Sequence, residues 1–69
     1  MINKSLNIFE QYALLKGSHA KEISFYTGID IKTVRSVVFI NGRNCGNIVA
    51  GKLRLYFNIP VEEYLEWRG

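Results

Sequence analysis

The sequence predicts an all-α fold, a five-helix bundle filling a single domain over residues 1–69. Three observations predict it. Turn-forming residues fall at helix-sized intervals: Gly17, Gly28, the run "NGRNCGN" and the run "NIP". Between them apolar residues recur three and four positions apart, the period of a helix and not the alternation of a strand. Hydrophobic residues make up 48% of the chain and there is one proline, with no repeat or low-complexity linker, which is a globular composition and not a disordered one. A chain this short buries only about 60% of the surface it exposes when unfolded, so one core is the ceiling.

The elements follow in order. Ser5 is the expected cap of helix one, whose Ile8, Phe9, Tyr12, Ala13 and Leu15 share helical spacing and whose left-handed stop is Gly17. Ser18 is the expected cap of helix two, "HAKEISFYT", with Ala20, Ile23 and Thr27 on one face before Gly28 ends it. Asp30 caps helix three, about residues 30–40, with Val34, Val37 and Val38 inward. Its β-branched residues make a strand the rival, but "IKTVRSVVFI" does not alternate, and turn signals stand on both sides. After the loop, Asn47 is the expected cap of helix four, which runs to Asn58 with Val49, Leu53, Tyr56 and Phe57 inward. Gly51 inside it costs about 1 kcal/mol relative to alanine, so either a helix crosses closely there or the helix is weak. Helix five starts at Pro60, where a missing N–H costs nothing, with Glu62 and Glu63 in the first turn to suit the helix dipole. Loops of two to seven residues suit a helical bundle.

The formal charge is +3, but it is unevenly placed. Residues 31–54 hold Lys32, Arg35, Arg43, Lys52 and Arg54 and no acid, whereas "VEEYLEWRG" holds three of the six acids. A cationic middle and an anionic end point to a polyanion-facing surface with its opposite pole turned away. Cys45 is the single cysteine, which excludes an intrachain disulfide framework and a thiolate metal site. Neither a signal peptide nor an apolar run near 20 residues is present, so a cytoplasmic protein without a membrane partner is expected. One histidine, His19, and one cysteine cannot fill a catalytic set or a tetrahedral zinc site. No enzyme activity, cofactor, metal or small-molecule substrate is expected.

Two short helices joined across "TGID" cannot lie antiparallel, because so short a connection with a left-handed glycine favours a steep crossing. This is the pattern of a helix-turn-helix: Gly28 supplies the positive φ, Ile29 plugs the angle, and Ile23, Val34 and Val37 fix the two rods. The run "AKEISFYTGIDIKTVRSVV", with the ending "FNIPVEEYL", resembles the helix-turn-helix family of temperate-phage Cro and repressor proteins, and the resemblance covers nearly the whole chain. Gly28, Ile29, Val34 and Val37 fit the family pattern. Ala20 stands where the family usually has a DNA-contacting glutamine, Ser24 where it favours alanine, and the loop after helix three is about one residue longer. The resemblance implies a lambda-repressor-like five-helix domain that regulates transcription by binding a double-stranded DNA operator, commonly as a twofold homodimer.

Docked in a major groove, helix three would read bases with Ile31, Lys32, Arg35 and Ser36, with Thr33 beside them on a phosphate. Arg35 is the best reader, since its fork matches guanine O6 and N7, and Ile31 suits a thymine methyl. Arg43, Asn44 and Asn47, at the loop and the start of helix four, are the other candidate phosphate contacts. Phe25, Tyr26, Ile31 and Phe39, with Ile40, carry apolar surface away from the expected core stripe and form a candidate protein contact. They support an alternative in which the chain is similar to small phage antirepressors, which share the fold and cover a partner repressor. Tyr64 and Trp67 are expected in the core, with a dimer patch as the alternative.

Overall fold

A computed structural model describes residues 7–43 and 45–68. Five helices follow in order: α1 (Ile8–Lys16), α2 (Ala20–Thr27), α3 (Ile31–Phe39), α4 (Asn47–Phe57) and α5 (Val61–Arg68). They pack into an all-α bundle of 28 × 24 × 19 Å, and residues 31–39 are helix, not strand.

Most helix limits come from the residues expected to set them. Gly17 and Gly28 end α1 and α2 in the left-handed conformation, at φ 73° and 75°. Asp30 caps α3 by accepting the Lys32 N–H at 3.0 Å. Asn58 ends α4 at φ 56°, which lets the Ile59 N–H reach the Arg54 carbonyl at 3.0 Å. The Pro60 carbonyl accepts the Tyr64 N–H, so proline stands immediately ahead of α5, where it lacks only a donor the helix does not need.

Three expected caps are different. Ser5 lies outside the described residues, and α1 is capped by Asn7, whose side chain accepts the Phe9 N–H at 3.1 Å. Ser18 does not cap α2: it is buried, its hydroxyl lies 3.1 Å from the Tyr56 hydroxyl, and His19 takes the cap position without a side-chain bond. Asn47 is the first residue of α4 and not its cap, because Gly46 is extended and its carbonyl accepts the Ala50 N–H.

The core runs through all five helices, with Phe9, Ile23, Val34, Leu53 and Trp67 almost fully enclosed. Trp67 meets Phe9 edge-on at 5.9 Å, and Tyr64 lies 5.9 Å from the same ring. Both aromatics of α5 therefore serve the interior, where each large side chain stabilises the fold by about 1.5–3 kcal/mol, and neither forms a surface patch. Leu15, expected inward, is 84% exposed, since α1 turns its other side to α3 and α4. Within α4, Ala50, Leu53 and Phe57 are buried, while Val49 and Tyr56 are half-buried. Among the described residues nothing outside the backbone of α4 itself lies within 4 Å of a Cβ added at Gly51, so none of the described helices crosses closely there and the glycine weakens α4. No helix among the described residues is long and apolar enough to cross a membrane.

Candidate nucleic-acid interface

The link between α2 and α3 is three residues long, and side chains of α2 hold it. Thr27 Oγ1 donates to the Ile23 carbonyl at 2.6 Å and accepts the Ile29 N–H at 3.2 Å. Ser24 Oγ donates to the Ile29 carbonyl. Ser24 is thus occupied in satisfying the turn. Ile29 itself is 6% exposed and belongs to the same buried cluster as Ile23, Val34 and Val37, so the angle between the helices is filled from inside.

The far end of α3 is held by a distant residue. Asn7 Nδ2 donates to the carbonyls of both Val37 and Val38 at 2.8 Å, while its oxygen accepts the Phe9 N–H. One amide therefore satisfies two of the orphan carbonyls of α3 and caps α1. Ser36 disposes of another, accepting from the N–H groups of Ile40 and Asn41. Gly42 is buried against this amide: a Cβ there would overlap the Asn7 oxygen and come within 2.9 Å of Phe9 Cδ2.

Held at both ends, α3 buries Val34, Val37 and Val38 and leaves Lys32, Arg35 and Ser36 exposed. These three share one outward stripe at helical spacing i, i+3, i+4. Ile31 and Thr33 flank it and are half-buried. The structure therefore brings four of the expected base-reading side chains to the outer side and N-terminal end of one helix.

The candidate phosphate contacts are scattered by comparison. Arg43 does not extend from the loop: its Nη2 donates to the Trp67 carbonyl at 2.7 Å and its guanidinium lies 4.5 Å from the Trp67 ring centre. It fastens the loop to α5, because a planar cation beside an aromatic face and a helix-end carbonyl is well satisfied there. Asn47 is exposed at the first position of α4, and Asn44 lies outside the described residues. The acid-free run is likewise divided: Lys52 lies beside Tyr26 and Thr27, and Arg54 is half-buried.

Phe25 and Tyr26 are 80% and 67% exposed, with rings edge-on at 5.2 Å, so they stay largely open among the described residues. Tyr26 continues onto Tyr56, stacked at 6.2 Å, and Lys16 Nζ lies 4.3 Å from the centre of that ring. Phe39 differs from expectation: it is half-buried and packs on the core, leaving Ile40, 77% exposed, as the apolar surface at that end.

Away from α3, titrating groups are perturbed at Tyr12, Cys45 and Arg68, the last raised first by its hydrogen bond to the Tyr64 hydroxyl. Burial, and then the hydrogen bond to Glu63, push the Tyr12 phenol up to about 12. Folding thus favours the neutral phenol, and this stabilisation is complete below pH 10 and lost as pH rises from 10 toward 12. Burial also pushes the Cys45 thiol up, keeping it protonated to donate to the Gly42 carbonyl at 3.3 Å. Among the described residues no three metal-ligating side chains converge. Comparison of the chain with protein-family models, curated proteins and solved structures returns no match.

The arrangement supplies a helix with an open cationic stripe, anchored at both ends and backed by a continuous core. Sequence reasoning missed Asn7, whose role depends on carbonyls about thirty residues away. It also missed the turn-holding role of Ser24, which the type of residue alone could have suggested, since serine hydroxyls close local turns.

Proposed function

We propose that α2 and α3 form a repressor-type helix-turn-helix and that the chain is a small transcriptional regulator of the kind temperate phages and mobile elements carry. In this reading α3 enters the major groove of operator DNA. Arg35 reads a guanine, Lys32 and Ser36 contact neighbouring base edges or phosphate, and Ile31 presses on a thymine methyl at the leading end. Thr33 and Asn47 meet phosphates and set the register. Two copies would read two half-sites.

The observation that carries this reading is the exposed stripe Lys32, Arg35 and Ser36 on a helix fixed at both ends. Lys32 adds support, because a cation in the first turn opposes the helix dipole and the carboxylate beside it, Asp30, is already engaged as the cap. Such a placement is unfavourable for the isolated fold and favourable once a polyanion lies against it.

A second reading is favoured by exposed Phe25 and Tyr26: an antirepressor-like protein that covers a partner repressor with the outer side of α2. Titration of labelled duplex DNA at several salt concentrations separates the two. The DNA reading predicts affinity falling steeply with salt, with a log–log slope near −0.9 per neutralised phosphate. No binding to any duplex at low salt would discard it in favour of the second.

A further inference from the structure

α5 is attached to the bundle differently from the other four helices. Among the described residues the helix backbones that run close together are α2 with α3, α1 with α3 and with α4, and α2 with α4; α5 is not among them. Long side chains hold it instead. Tyr64 and Trp67 are its two buried residues, and both rings meet Phe9 of α1. Glu63 accepts the Tyr12 hydroxyl, again from α1. A third tie comes from the loop between α3 and α4, where Arg43 bonds to the Trp67 carbonyl and lies over its ring.

Two of these anchors also belong to the hold on α3. Phe9 closes one side of the space at Gly42, and the Asn7 amide that bonds to the Val37 and Val38 carbonyls closes another. Arg43 follows Gly42 directly in the chain, and Cys45 donates back to the Gly42 carbonyl at 3.3 Å. The loop thus lies between α5 and the anchor of α3. At the start of α5 the chain is fixed, because Ile59 is 2% exposed and its N–H bonds to the Arg54 carbonyl. The helix is free to turn only from Pro60 onward.

We propose that α5 is a releasable strap: it opens as a unit about Pro60 before the other four helices unfold, and its docking on Phe9 and Arg43 sets the loop and with it the C-terminal hold on α3. Elements with few enclosed side chains open at lower free energy than the core they cover. α5 places two of its eight residues in the core and has no neighbouring helix backbone behind it. Release withdraws the carbonyl and ring from Arg43 and uncovers one side of Phe9, so the wall against which Gly42 and Asn7 pack is loosened. Docking of α5 and the hold on α3 are therefore linked in both directions. The consequence for DNA rests on the role proposed for α3; the linkage itself does not.

The chain's single tryptophan and single cysteine report the two ends of this linkage. Trp67 fluorescence follows α5, the rate at which a thiol reagent labels Cys45 follows the loop, and circular dichroism follows the remaining helices. In a urea series the wild-type chain is expected to expose Trp67 and to label Cys45 faster at concentrations where most of the helical signal persists. Tyr12→Phe removes a tie of α5 that involves no loop residue. It is expected to raise Cys45 labelling in water roughly tenfold, the population equivalent of one hydrogen bond to a charged group. Arg43→Gln is expected to raise it from the loop side, with the main helical transition kept. Coincidence of the three signals in the wild-type chain overturns the strap, and that comparison needs no variant to fold. Cys45 labelling unchanged by Tyr12→Phe overturns the link to the loop. A duplex that binds α3 is expected to raise the urea concentration at which Trp67 is exposed, because it then favours the docked form. A duplex that binds and leaves Trp67 exposure unmoved contradicts the linkage to α3, whereas a chain that binds no duplex fails the DNA reading and leaves the urea comparison to decide the strap.

Discussion

The two ends of α3 are held by different means. Its N-terminal end depends on neighbours in sequence: Ser24, Thr27 and Asp30 bond to backbone groups no more than five residues away. Its C-terminal end depends on Asn7, which reaches the Val37 and Val38 carbonyls from the start of α1, and on a glycine that leaves room for that amide. A local device fixes where the helix begins. A non-local one ties the helix to the rest of the bundle, so that its direction is set by α1 and by the core and not by the turn alone.

The asymmetry can be broken by substitution, and the non-local end should suffer most. Gly42→Ala forces a methyl into the Asn7 amide and toward Phe9, with little room to yield because that amide is bonded on both sides. A loss of about 3 kcal/mol in urea unfolding is expected, at the upper end of overpacking costs. Asn7→Ala removes a cap and two bonds to helix-end carbonyls at once and should cost about 2 kcal/mol. Asp30→Ala removes one cap at the local end, where water can replace it, and should cost about 1 kcal/mol. If Asp30→Ala proved more damaging than Asn7→Ala, the ranking of the two ends would be reversed and the turn would be the principal support of α3.

The same contrast explains how much could be read in the sequence. Gly17, Gly28, Asp30 and Pro60 act within a few residues of themselves, and the periodic Val34, Val37 and Val38 show their inward side without knowledge of what they meet. The five helices and the outward stripe of α3 were therefore legible. Ser18 was misread, and the places that Arg43 and Phe39 take in the fold were not legible, for the opposite reason. Their actual partners are Tyr56, Trp67 and the closed core, and nothing in the local pattern distinguishes a serine that caps from one that bonds across the bundle. Leu15 follows helical period correctly yet lies on the uncovered side, because α1 is flanked on fewer sides than its apolar content suggests.

The function claimed for α3 depends on side chains that stability measurements do not report, since Arg35 and Phe25 are both exposed. The direct test is base preference, measured by selecting from a pool of random duplexes with the wild-type chain, Arg35→Ala and Phe25→Ala in parallel. Arg35→Ala is expected to lose preference at one position of the selected site, by about 1–3 kcal/mol or roughly 5- to 150-fold, while Phe25→Ala selects the wild-type site. Selection of the same site by all three proteins, or loss of selection with Phe25→Ala alone, would contradict the base-reading role of Arg35.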